Sequence, residues 1–126
     1  MTDMKKYISR LFEISEDNIR EEMKSGWESF DRVTRIRAND PERPVEQRVI
    51  RICIDSRADE YIGMITGMTK TFYSALIASG LSRDESSYYF DLASAKSLVL
   101  RKIVYSERDS RMNNVGMYYG SDKKDQ

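Results

Sequence analysis

Hydrophobic positions recur along most of this chain at the three- and four-residue steps of a helix. The clearest run is Ile19, Met23, Trp27, Phe30, Val33 and Ile36, which traces one stripe and predicts a helix over 16–37. Ser15 is placed to cap its first turn. Glu16, Asp17, Glu21 and Glu22 crowd its start, and Arg32, Arg35 and Arg37 crowd its end, so both charge sets complement the helix dipole. Tyr7, Ile8, Leu11 and Phe12 predict a shorter helix before it. The stretch 38–44, with Asn39-Asp40-Pro41 and Pro44, predicts a loop.

Residues 45–54 carry two readings. Ile50, Ile52 and Ile54 alternate with Arg51 and Cys53 as a strand does, whereas Val45, Val49 and Ile52 or Cys53 are spaced as in a helix. Read as helix, the Val45, Val49 and Ile52 face lies roughly opposite the face of Tyr61, Ile65, Met68, Phe72 and Leu76. That conflict predicts a break at Asp55-Ser56 and a restart, with Ser56 and Asp59 as a capping pair. The alternative is one long helix buried on both sides, whose Gly63, Gly67, Ser74 and Ala78 would admit a neighbour closely. A helix over 57–79 then ends at Gly80, and Ser82-x-x-Glu85 opens the next with a capping box. Tyr88 or Tyr89, Leu92, Ala95, Val99 and Ile103 are expected on its inner face, to about Arg108.

The fold class these elements predict is all-α, a small helical bundle of about four to five helices with a C-terminal helical hairpin around Gly80. The alternative is a short strand at 48–54 followed by two helices, a ribbon-helix-helix-like dimer, although the first helix has the wrong length for it. One domain is expected over 1–112, followed by a flexible C-terminal tail over 113–126. Val115, Met117, Tyr118 and Tyr119 are nonetheless apolar enough to dock.

Composition agrees with a folded domain: 126 residues, 40% hydrophobic and 33% charged. The single cysteine, Cys53, can form no internal disulfide, and no leader-like or membrane-length apolar run is present, so a cytoplasmic protein is expected.

The chain has no histidine, which removes the commonest general base and metal ligand. Histidine-dependent nucleophile pairs and zinc sites are thereby excluded, and glycine-rich phosphate loops are absent. The pairs Glu21-Glu22, Asp59-Glu60 and Asp84-Glu85 are sequence neighbours, which a helix points about 100° apart. No enzyme, cofactor or metal is therefore expected.

Charge is balanced overall but unevenly laid out. Residues 1–31 carry five basic and eight acidic side chains, and residues 32–57 seven basic and four acidic. All seven basic residues of the second block are arginine, whose planar fork pairs with carboxylate or phosphate. The candidate partner or nucleic-acid contacts are Arg35, Arg37, Arg43, Arg48, Arg51 and Arg57, with Arg83 further on. The stretch 75–82 resembles the turn of a DNA-binding helix-turn-helix, but Asp84 and Glu85 would face phosphates badly, and a plain hairpin explains the same residues. Tyr88-Tyr89-Phe90 covers about 200° of helix, so at least one ring lies off the core and is a candidate protein-interface aromatic.

The function expected is that of a non-enzymatic helical protein-interaction module: a regulator, inhibitor, adaptor or small assembly subunit that self-associates as a homo-oligomer. The general form suits small accessory proteins of phages and mobile elements. The alternative is a DNA- or RNA-binding accessory protein using the arginine-rich 32–57 segment.

Overall fold

Ile8, Phe12, Ile19, Met23, Trp27 and Phe30 are all buried along one side of a single helix, α1 (Thr2–Ala38), in a computed structural model that describes residues 2–120. Two expected helices are thus one. Ser15 sits half-buried inside the helix rather than at its cap, because a lone serine does not break a stripe that resumes at Ile19. The stripe's last two members turn out differently: Val33 and Ile36 are exposed, and Ala38 is buried in their place. Each step of three falls about 60° short of a full turn, so three in succession carry the stripe off the core face.

The second helix, α2 (Gln47–Ala78), is also continuous, without the expected break at Asp55-Ser56. Ile50, Ile54, Ala58, Tyr61, Ile65, Phe72 and Leu76 form its buried stripe. Ile50 and Ile54 are therefore in phase with the later set, and the apparent conflict came from Val49 and Ile52, which point outward. No strand occurs among the described residues, so the ribbon-helix-helix alternative does not apply. The connection over 39–46 is tied by the Asp40 carboxylate, which accepts from the backbone N–H groups of Glu42 (2.9 Å) and Arg43 (3.3 Å).

At the other end α2 stops before Gly80, whose φ of 76° lies in the left-handed region that favours glycine. Ser82 then starts α3 (Arg83–Asn113) with the expected capping box. Glu85 N–H donates to the Ser82 hydroxyl (3.2 Å), and Ser82 N–H donates to the Glu85 carboxylate (3.1 Å). The buried residues of α3 are Tyr89, Ala93, Ser97, Leu100 and Val104, not the expected Leu92, Ala95, Val99 and Ile103. The true inner face is one residue away because α3 carries apolar side chains on two sides.

These three antiparallel helices replace the four to five expected, and α2 with α3 forms the hairpin around Gly80. Their interior is in two parts. Near Gly80, Ile8, Phe12, Phe72, Leu76, Tyr89 and Ala93 pack together, with the Phe12 and Phe72 rings stacked at 3.8 Å between centroids. A larger cluster fills the opposite end around Trp27, Phe30, Ile50, Ile54, Tyr61, Ile65 and Leu100, and Met68 packs against both.

α3 runs five residues past the expected end near Arg108 and is followed by a 3-10 turn, Val115–Tyr118. Val115 and Tyr118 are buried in the larger cluster, so residues 113–120 belong to the fold where the sequence reading began a flexible tail. The remainder of that expected tail, 121–126, lies outside the described residues.

Candidate functional site

The arginine block folds onto the end of the bundle away from Gly80, where α1 ends and α2 begins. Its members divide into two groups. Arg35 donates to the Met117 carbonyl (3.2 Å) and lies over the Tyr118 ring, so it fastens the C-terminal turn. Arg57 is half-buried between α1 and α2 with its guanidinium over the Phe30 ring. These two are structural cations.

Arg32, Arg37, Arg43, Arg48 and Arg51 are exposed. Arg48 pairs with Glu46 at 3.1 Å, with both side chains mostly in water, an arrangement worth about 0–1 kcal/mol. Among the described residues, the guanidinium groups of the other four pair with no carboxylate. Arg83 starts α3 at the opposite end, and α2 alone is about 48 Å long at its 1.5 Å rise per residue, so Arg83 is not part of this group.

The sequence reading missed what lies among these arginines. A groove between α1 and α2 is lined by Phe30, Val33, Arg37, Cys53, Arg57 and Glu60. Ile36 follows Val33 by one turn on its outer side, and Val49 precedes Cys53 by one turn, with Ile52 beyond it. The four aliphatic side chains Val33, Ile36, Val49 and Ile52 are 36–67% exposed. Isolated exposed aliphatics are ordinary, but here Val33 and Val49 border a groove that also holds Arg37, with Ile36 and Ile52 on the outer shoulders of the two helices, a mixture of aliphatic and arginine suited to an interface. The drift of the α1 stripe and the second phase of α2 carry this signal in the sequence, where spacing alone does not separate it from core.

Behind this face a half-buried ionic cluster ties α1, α3 and the C-terminal turn together. Arg111 donates to both oxygens of Asp31 (2.9 and 2.8 Å) and to Glu107 (2.6 Å), while its guanidinium stacks over Trp27 at 4.2 Å. The Tyr118 hydroxyl donates to Asp31 (2.7 Å). Burial opposes the Arg111 charge, but the two carboxylates more than compensate and hold its pKa above the usual arginine value. Burial pushes the Tyr118 phenol up as well, and its bond to the Asp31 carboxylate adds to that. All these groups are used up by one another, so the cluster is scaffolding for the face.

The three candidate rings separate. Tyr89 is buried with its hydroxyl 3.3 Å from Ser9 Oγ, and Phe90 is half-buried against Tyr73. Tyr88 alone is exposed, edge-on to Tyr89. Among the described residues no group of three or more Cys, Asp or Glu side chains is placed to hold a metal ion, and no helix is long and apolar enough to cross a membrane.

The fold is that of an antiparallel three-helix bundle, and its most distinctive surface is the arginine-framed aliphatic face of α1 and α2. Compared with protein families, curated proteins and solved structures, the chain matches none.

Proposed function

We propose that this chain is a non-enzymatic protein-interaction module that holds an acidic, partly apolar partner surface against the α1/α2 face. The observation that supports the reading is the groove lined by Val33, Arg37 and Cys53, bordered by exposed Ile36, Val49 and Ile52, with Arg32 one turn from Ile36 and Arg48 one turn from Ile52. Removing aliphatic surface from water contributes about 25 cal/mol per Å², which gives such a face its affinity. The arginine forks around it select carboxylates and fix the partner's orientation. A phosphate backbone would satisfy the arginines but leave the aliphatic side chains in water, which favours a protein partner over nucleic acid. The role this implies is that of a regulator, inhibitor, adaptor or small assembly subunit.

The test pairs two variants of exposed residues, I36S/I52S and R37A/R48A, with two readouts. One is fluorescence anisotropy with duplex DNA, single-stranded DNA and RNA at low and high salt. The other is capture of partners from cells. The expected result is no salt-steep nucleic-acid binding and a captured protein lost by both variants. Micromolar nucleic-acid binding that falls steeply with salt, is abolished by R37A/R48A and survives I36S/I52S would replace this reading with the nucleic-acid one.

A further inference from the structure

The outward side of α3 carries a second apolar surface, away from the arginine face. Tyr88, Leu98, Val99 and Tyr105 are 42–63% exposed there, and Asp91, Ala95 and Lys102 are exposed between them. Tyr88, Asp91, Ala95, Leu98, Lys102 and Tyr105 follow one another at steps of three, four, three, four and three, the spacing of a coiled-coil seam. At 100° per residue they span about 100° of the helix and point away from the buried stripe of Tyr89, Ala93, Ser97, Leu100 and Val104. A helix that needs only one packed side has no use for four large apolar residues on the other.

The order of residues along this seam identifies its occupant. Set against a second α3 running the opposite way, one register matches every position from Tyr88 to Tyr105; beyond them it sets Asp84 against Asp109, whose charge Arg108 offsets at 3.0 Å. Tyr88 then faces Tyr105 of the second copy, Asp91 faces Lys102, and Ala95 faces Leu98. Each match occurs twice, once on either side of a two-fold axis between Lys96 and Ser97. An aromatic meets an aromatic, a negative charge a positive one, and a small side chain a large one. Val99 lies just off the seam, where it adds apolar area beside the axis. The same charges in a parallel pair would place Asp91 against Asp91 and Lys102 against Lys102.

We propose that the protein forms a two-fold symmetric dimer through antiparallel pairing of α3 with α3 of a second copy, in the register that sets Asp91 against Lys102. The dimer leaves the α1/α2 face of each copy uncovered, and it does not depend on the proposed partner. Its test accordingly uses the chain alone.

Sedimentation velocity over a range of concentrations measures the dimer, with circular dichroism confirming the helix content of each variant. The wild-type chain is expected to approach twice the 14.7 kDa of one chain, and L98D to remain a monomer with unchanged helicity. D91K and K102D each set like charges together at two places, and each should weaken association roughly tenfold. An equimolar mixture of D91K and K102D should restore it, because a copy with both seam charges positive then meets a copy with both negative. All the residues changed are exposed, so the fold survives the substitutions. A wild-type monomer at millimolar concentration would overturn the proposal. So would a dimer indifferent to the single reversals, or a mixture no tighter than its components.

Discussion

Gly26 is the point where α1 gives way to Tyr61 of α2. A Cβ at Gly26 would lie 1.9 Å from the Tyr61 hydroxyl oxygen, so a larger residue fits only if the buried Tyr61 ring is displaced. That hydroxyl is buried without a hydrogen-bond partner, and burial raises its pKa while the nearby Arg57 pulls the other way. G26A should destabilise the protein by about 1–3 kcal/mol in urea unfolding, although alanine gains about 1 kcal/mol of helix propensity. Y61F should be neutral or stabilising, since the lost hydroxyl bonds nothing. The double variant should recover part of the G26A loss, the non-additivity expected of residues in contact.

Glu85 is the other residue whose setting makes a sharp expectation. Lys5 lies 2.5 Å away, and the Ser82 backbone and hydroxyl also bond its carboxyl, holding its pKa at about 2. A carboxyl with a lowered native pKa stabilises the fold above its ordinary value of 4.5 and loses that contribution as pH falls toward 2. The melting temperature of E85Q should therefore lie below that of wild type at neutral pH, and the two should converge by about pH 2 in calorimetry.

Among the elements, the short turn Val115–Tyr118 has an effect larger than its length. Asn39 binds it from both sides of its own amide, donating to the Tyr118 carbonyl (2.9 Å) and accepting from Gly120 N–H (2.6 Å). Asp31 binds it through the Tyr118 hydroxyl while holding Arg111 of α3. D31A would leave the Arg111 charge with Glu107 alone and the Tyr118 hydroxyl unpaired. A loss of about 1–3 kcal/mol in thermal or urea unfolding is the expected outcome, since the pair is partly solvated and Glu107 remains, and D31N should cost less.

Helix identity, the Gly80 turn and the Ser82-Glu85 capping box were legible because each rests on local chemistry. Helix phase was less so. Periodicity places Val33 with Ile36 and Ala95 with Val99 inward, and sets Val49 and Ile52 on an apolar side of their own, yet each pair faces water. Periodicity reports that a side is apolar, not which of two apolar sides is covered, and only the packing of all three helices decides. The arginine group was legible as a block. Its division into Arg35 and Arg57, tied to aromatic rings, and Arg37, Arg43 and Arg51, which are not, depends on neighbours distant in sequence, as does the pairing of Asp31 with Arg111.

At the scale of the whole molecule, the two-part interior has a dynamic consequence. The cluster near Gly80 is small and is closed mainly by the capping box and the Lys5–Glu85 pair, whereas the opposite end is clamped by Arg111, Asp31 and the C-terminal turn. Local opening in a folded protein follows such differences in buried contact. In deuterium exchange, amides of α2 and α3 flanking Gly80 should lose protection well before those around Ile54 and Leu100. The bundle then behaves as tongs with a fixed pivot: its Gly80 tips can breathe on their own timescale while the arginine-framed face keeps its shape.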